Sequence, residues 1–470
     1  MPSDPPPSAD GTADPSRTTS RADEQDLVPF ATALRAWFAI SWQTFGGPAG
    51  QIAVMQRELV DRRRWIGQRR FLHALNYCML LPGPEAQQLA IYIGWLLNGV
   101  RGGLAAGILF VLPGVLTLLA LSGIYVAAGD TTIVTAVFAG LAPAVVAVVV
   151  QAVWRLGRRA LTRPALVGLA VAAFLALTVF GVPFPAVIAV AAVAGWTLHR
   201  LRPQADTSPD RESDDEPAPV VADDALHASR PSLRRAALIL GIGVSLWAVP
   251  MLAVVALTGA GSVLTTQGLF FSGTALITFG GAYAVLAFVA QQAVQAYGWL
   301  TAGDMVRGLA LAESTPGPLI MVVQFVAFLG AFHQPGTLDP WVAGVLGALL
   351  TTWVTFVPCF LFIFLGAPHI EQLRHNRALS AALTGITAAV VGVIANLALY
   401  FAGHTFFDQY RPVHLGPLTM EVPQLASVQP LAVAIAVVAA GLIFWRGWPV
   451  LRTLGVCAAL GLFTTLVAVT

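Results

Sequence analysis

Two kinds of motif put glycine, proline and acid inside otherwise apolar stretches. One is TFGG at Thr44–Gly47, followed by Pro48; the other is PGPE at Pro82–Glu85. Proline fixes φ and lacks an N–H, so it starts helices and interrupts them. Each motif therefore predicts a broken helix, with Pro48 opening one after Gly46 and Gly47, and Pro84 opening another after a turn at Pro82 and Gly83. Both motifs recur, as TFGG at Thr278–Gly281 and PGP at Pro316–Pro318, with Ala282 where the first TFGG has its proline. A helix start exposes amides that no preceding carbonyl satisfies. Each start carries about +0.5 charge, so four that converge supply about +2, the complement of a dianion. The candidate binding set is Gly46, Gly47, Pro48, Gly83, Pro84, Glu85, Gln88, Gly280, Gly281, Pro316, Gly317 and Pro318.

Three ionisable residues beside the breaks are candidates for coupling or gating. Glu85 is the second residue of its new helix, where the dipole favours a carboxylate. Its open roles are proton carrier, gate that competes with the anion, and cap. Glu313 precedes the second PGP by three residues, but the repeat position of Glu85 is Leu319, so the two acids are not equivalents. Arg57 follows the first half-helix and can attract an anion or simply fix topology. Gln87, Gln88 and Gln324 can donate to an oxyanion or bridge helices. The histidines show no metal-ligand spacing, and no metal or cofactor is expected.

The elements that must hold these residues are transmembrane helices. Of 470 residues 57% are hydrophobic and 11% charged, with a mean hydropathy of +0.74. Apolar runs near the ~20 residues of a bilayer crossing recur from Ala33 onward. The fold class is an all-α polytopic membrane protein of about 13 segments. The sequence has no lysine, so all 26 basic residues are arginine, which excludes a P-loop ATPase and a Schiff-base lysine enzyme. Cys78, Cys359 and Cys457 are isolated, without C-x-x-C spacing.

The chain is internally duplicated. A shift of 234 residues (278 minus 44) superposes both TFGG motifs, both PGP motifs, and Trp65 on Trp299; after His333–Pro340 the shift becomes 245 (358 minus 113), pairing Pro113 with Pro358 and Gly140 with Gly385. The expected organisation is a disordered tail at 1–26, a first repeat at 27–199, a polar, acidic-centred linker at 200–235, an extra segment at 236–257 and a second repeat at 258–470. One extra crossing between the repeats inverts the second. Arginine clusters at Arg155–Arg163, at the two ends of the linker, at Arg374 and Arg377 and at Arg446 and Arg452 mark cytoplasmic loops. The six arginines of Arg57–Arg70 join them if the TFGG and PGP segments are re-entrant; helices that span at a tilt are the alternative. In either case the N-terminus is expected to be cytoplasmic and the C-terminus external.

At FGGPAGQIAVMQRELVDRRRWI, LLPGPEAQQLAIYIGWLLNG and GLALAESTPGPLIMVVQFVAFLGAF the sequence resembles the chromate ion transporter family, from about residue 30 to the end. The resemblance implies a bacterial inner-membrane protein of two homologous halves that exports chromate and confers chromate resistance. The partners expected are chromate, with sulfate as a second tetrahedral dianion, the lipid bilayer, and a second copy if the chain forms a homodimer; no nucleic acid is expected. Competing readings are a membrane-embedded enzyme, against which the dispersed acids argue, and a channel.

Overall fold

The computed structural model describes residues 27–201, 233–279, 281–366, 377–415 and 418–469. The expected tail, most of the linker, Gly280 and Arg374 lie outside them. The first repeat comprises α1 (Phe30–Ser41), α2 (Gly47–Gln56), a π-helical turn at Arg57–Arg62, α3 (Gln68–Cys78), α4 (Glu85–Ala128), α5 (Thr132–Ala160), α6 (Pro164–Thr178) and α7 (Phe184–Leu201). Helix α4 is two helices joined at a kink, where Gly99 takes φ +60 and the Asn98 side-chain amide donates to the Val28 carbonyl at 2.6 Å.

The extra segment is α8 (Leu233–Thr258), which packs on its neighbours over a small fraction of its surface and presents Leu238, Ile242 and Leu252 outward. The second repeat follows with α9 (Val263–Ile277), α10 (Ala282–Gln291), a π-helical turn at Gln292–Ala296, α11 (Ala302–Ser314), α12 (Val322–His333), α13 (Pro340–Gly366), α14 (Arg377–Phe406), a hairpin of β1 (Tyr410–Leu415) and β2 (Leu418–Pro423), α15 (Pro430–Phe444) and α16 (Val450–Val469). Even the π turns recur at the shift of 234. The hairpin lengthens the shift again, to 266 (449 minus 183): Gly181 and Gly447, at φ +61 and +62, each precede a proline two residues on.

Among the described residues, seven helices are long and apolar enough to cross a membrane, and five shorter apolar helices accompany them. Those flanking the breaks are short. At about 1.5 Å per residue the twelve residues of α1 reach about 18 Å, well under the ~30 Å of a hydrocarbon core.

Contacts between the repeats are reciprocal. A Cβ at Gly140 of α5 would strike Cys457 and Gly461 of α16, and one at Gly385 of α14 would strike Ala191 and Gly195 of α7. The shifts convert one pair into the other, the signature of a two-fold relation. Helices α5 and α14 are equivalents and pack against each other: an added Cβ at Gly157, near the end of α5, would stand 3.6 Å from Val391 in the middle of α14. The repeats are inverted, and glycines admit the close helix approach that stabilises such packing in lipid.

Candidate functional site

The breaks meet at the pseudo-two-fold axis. Pro82 and Pro84 keep α3 and α4 from fusing, and Gly83 turns the chain at φ +120; Gly317 does the same at φ +106. The Gly83 N–H donates to the Thr278 carbonyl at 2.8 Å, and the Gly317 N–H donates to the Thr44 carbonyl at 2.9 Å. This exchange joins each PGP turn to the TFGG of the other repeat. Gln51 ties the same junction, donating from Nε2 to the Gly317 carbonyl at 2.5 Å. An unsatisfied amide at membrane depth costs several kcal/mol, and the crossed bonds remove that cost.

Gly83 and Gly317, which precede the helix starts, thus give their own amides to the opposite repeat and not to an anion. Gln88 likewise turns back, donating to the Pro82 carbonyl at 2.7 Å. Pro84 and Pro318 stand as the residues just before their helices, and Pro316 packs its carbonyl against Gly114 of α4. Together they form an elbow rather than a cavity wall.

The TFGG starts do border a cavity. It measures about 310 Å³, and its lining includes Gly46, Gly47, Pro48, Glu85, Gly281 and Tyr283. Gly46 takes φ +78 just before α2, and Pro48 sits in the first turn; Gly281 takes φ +100 before α10. Glu85 Oε1 lies 3.7 Å from the position of a Cβ on Gly281, and Gly47 meets Leu319 in the equivalent arrangement. The backbone is thus two-fold while the acid is not.

Glu313 is buried beside the cavity, and the Tyr283 hydroxyl donates to its Oε1. Its repeat position is Met79, which also lines the cavity. Arg57 lies elsewhere, exposed at the far end of α2, donating to Gln43 Oε1 at 3.1 Å. The arginine loop is partly neutralised within itself: Glu58 pairs with Arg62 at 3.3 Å and Arg63 at 3.7 Å.

Sequence reasoning treated Arg155 and Arg159 only as topological charges. Both line the cavity, together with Gln151. Residues 151, 155 and 159 are spaced by four, so α5 presents them as one polar stripe on an otherwise apolar helix. That spacing was the available signal. Arg155 is also near enough for its charge to act on Tyr283 and Glu313. The cavity therefore brings two helix starts and the arginines Arg155 and Arg159 into one lining, an arrangement suited to hold a small anion of high charge.

Two inverted repeats with broken helices meeting around a largely apolar cavity that holds a few charged side chains define the architecture of a multi-pass membrane transporter. The sequence profile of the chromate transporter family matches residues 31–196 and 265–462, and the chain belongs to that family. The two matched stretches begin 234 residues apart and end 266 apart, as the two repeats do. The chain is 33% identical over 446 residues to a chromate transport protein of Pseudomonas aeruginosa, covering 92% of both chains. It is 28% identical to a chromate transport protein of Cupriavidus metallidurans, covering 87% of this chain and 90% of the relative. An uncharacterized transporter of Methanocaldococcus jannaschii is 24% identical over 83% of this chain and 89% of its own. No solved structure matches.

Proposed function

We propose that the protein carries chromate out of the cytoplasm across the bacterial inner membrane and so confers chromate resistance. The observation that carries this reading is the cavity at the pseudo-two-fold axis, where the first turns of α2 and α10 face Arg155 and Arg159. The relatives' names supply the cargo. The arginine-rich end of α5 is assigned to the cytoplasm by the positive-inside rule, which makes the observed cavity inward-facing and leaves the C-terminus on the periplasmic side. The dianion enters past Arg159 and Arg155 and reaches the helix starts at Gly46, Gly47 and Gly281. Glu85, beside Gly281, is the gate: its carboxylate and the cargo repel each other at the same helix start. Gly83, Gly317 and the prolines around them are the elbows on which the repeats move.

The membrane potential supplies the drive. Expelling two negative charges from a negative interior releases roughly twice 2.3 kcal/mol per 100 mV. Sulfate has the same charge and shape, and helix-start amides discriminate weakly between the two, so sulfate competes.

Flux in proteoliposomes tests the proposal. Chromate movement should saturate, respond to an imposed potential and be inhibited by sulfate. Flux that rises without saturating would identify a channel instead, and no flux under any imposed potential would refute transport.

A further inference from the structure

A second cavity, of about 650 Å³, opens at the other end of α14, among the side chains of Asn396, Tyr400, His404, Gln291, Gln295 and Tyr410. The shift of 245 carries Gln151, Arg155 and Arg159 of the first cavity onto Asn396, Tyr400 and His404 of the second. The polar stripe on α5 thus has a counterpart on α14, and because the repeats are inverted the counterpart faces the other membrane surface. Helices α10 and α14 each reach from one cavity to the other. On α14 the first cavity ends at Ile394 and the second begins at Asn396; on α10 the first ends at Tyr283 and the second begins at Ala287.

Between these bounds Ala284, Val285 and Leu286 of α10 are buried, and just past Ala287 the Phe288 ring stacks on Phe184, the first residue of α7, with ring centroids 5.4 Å apart. The equivalents of this pair on the open side are Val54 and Val450, and Val450 lines the first cavity. Val450 thus borders open space in the first cavity, whereas its equivalent Phe184 is buried against Phe288.

We infer that the second cavity is the exit vestibule for the same anion, closed in this state by the Phe184–Phe288 stack. The inference rests on the transport reading above. Its chemistry suits release. Where the entry side fixes two guanidinium charges, the exit side presents an amide, a phenol and an imidazole whose ring centroid lies 4.4 Å from that of Tyr400, at a tilt, and stacks on Tyr410 at 4.8 Å. A dianion drawn to the first cavity meets no fixed cation among these three side chains and is not retained.

Accessibility of single cysteines to a membrane-impermeant maleimide, in right-side-out vesicles holding the full chain, tests this; the three native cysteines are buried and supply the background. External reagent should label Tyr400→Cys and leave Ala49→Cys, beside the TFGG start, almost unlabelled. Adding Phe288→Ala should speed external labelling of Ala49→Cys by about tenfold or more, as expected when a closed state loses its favouring contact. Phe288→Leu, which keeps apolar volume but loses the stack, repeats the test if the alanine variant does not assemble. Tyr400→Cys that resists external reagent, or Ala49→Cys that labels no faster without the stack, overturns the inference. Chromate flux measured in parallel separates the two readings: saturable flux with an unlabelled Tyr400→Cys refutes the vestibule and spares transport. External labelling without any flux refutes transport and, with it, the exit role.

Discussion

Adding one methyl group at Gly83 tests the junction between the repeats. The residue sits at φ +120, and a side chain in a left-handed conformation costs about 1–2 kcal/mol. The new Cβ would lie 2.9 Å from Cys359 Sγ and 2.9 Å from Gln88 Nε2. Moving Gln88 forfeits its bond to the Pro82 carbonyl, about 1 kcal/mol net. Displacing the buried Cys359 adds about 1–3 kcal/mol of overpacking. Gly83→Ala should therefore destabilise the fold by about 3–6 kcal/mol. Gly181→Ala is the matched control, since Gly181 has φ +61 but nothing within 4 Å of an added Cβ; only the left-handed penalty of about 1–2 kcal/mol applies. Thermal unfolding in detergent compares them. A Cys359→Ala background should recover about 1 kcal/mol or more of the Gly83→Ala loss, because the contact partner has been trimmed. If the two glycine variants unfold together, or the double variant gains nothing, the elbow is not the tight junction described.

Other expectations concern the cavity. Arg155→Gln should raise the half-saturating chromate concentration about tenfold or more, because a fixed cation facing a dianion is lost, and Arg155→Lys should restore part of it; Arg57→Gln, remote from the cavity, should change it little. Equal effects at the two positions in flux assays would remove Arg155 from the site. Glu85→Gln should lower the half-saturating concentration and flatten the pH profile of flux, and an unaltered profile would exclude a gating or proton-carrying role. Tyr283→Phe strips the buried Glu313 of its hydroxyl donor and should cost about 1–3 kcal/mol, read by denaturation; a neutral result would mean the contact contributes nothing.

The helix breaks were legible because proline and glycine act locally: Pro48, Pro84, Gly83 and Gly317 end or start helices whatever surrounds them. The duplication was legible because insertions such as the one at His333–Pro340 left long ungapped matches. What the breaks face was not legible. Gly83 and Gly47 read alike in sequence, yet one gives its amide to Thr278 and the other borders a cavity, a difference made by residues of the other repeat. Arg155 was misjudged for a related reason. Beside Arg158, Arg159 and Arg163 it resembles a topogenic cluster, and only the packing of α5 against α11 and α14 turns one face of that cluster inward. The stacking partners Phe184 and Phe288 carry no local signal at all; an aromatic in an apolar run is ordinarily lipid-facing or core.

Symmetry of the backbone and asymmetry of the side chains have separate consequences for a carrier. Inverted repeats guarantee that whatever conformation one half adopts is accessible to the other, so an outward-facing state costs no new fold; exchanging the roles of Val54 and Val450 with those of Phe288 and Phe184 generates it. The same symmetry would give identical affinities on the two sides. That identity is broken at Glu85 against Leu319, Glu313 against Met79, Arg155 against Tyr400 and Arg159 against His404. Such substitutions cannot set the direction of net flux, since at zero driving force the forward and reverse kcat/KM values must balance. They redistribute each side's kcat/KM between its two factors: arginines lower KM where the cargo is scarce, and their absence raises it where the cargo must leave. Exchanging Arg155 with Tyr400 should therefore exchange the half-saturating concentrations on the two sides while the direction of flux under an imposed potential stays the same. A reversed direction would show that the side chains, and not the potential, supply the drive.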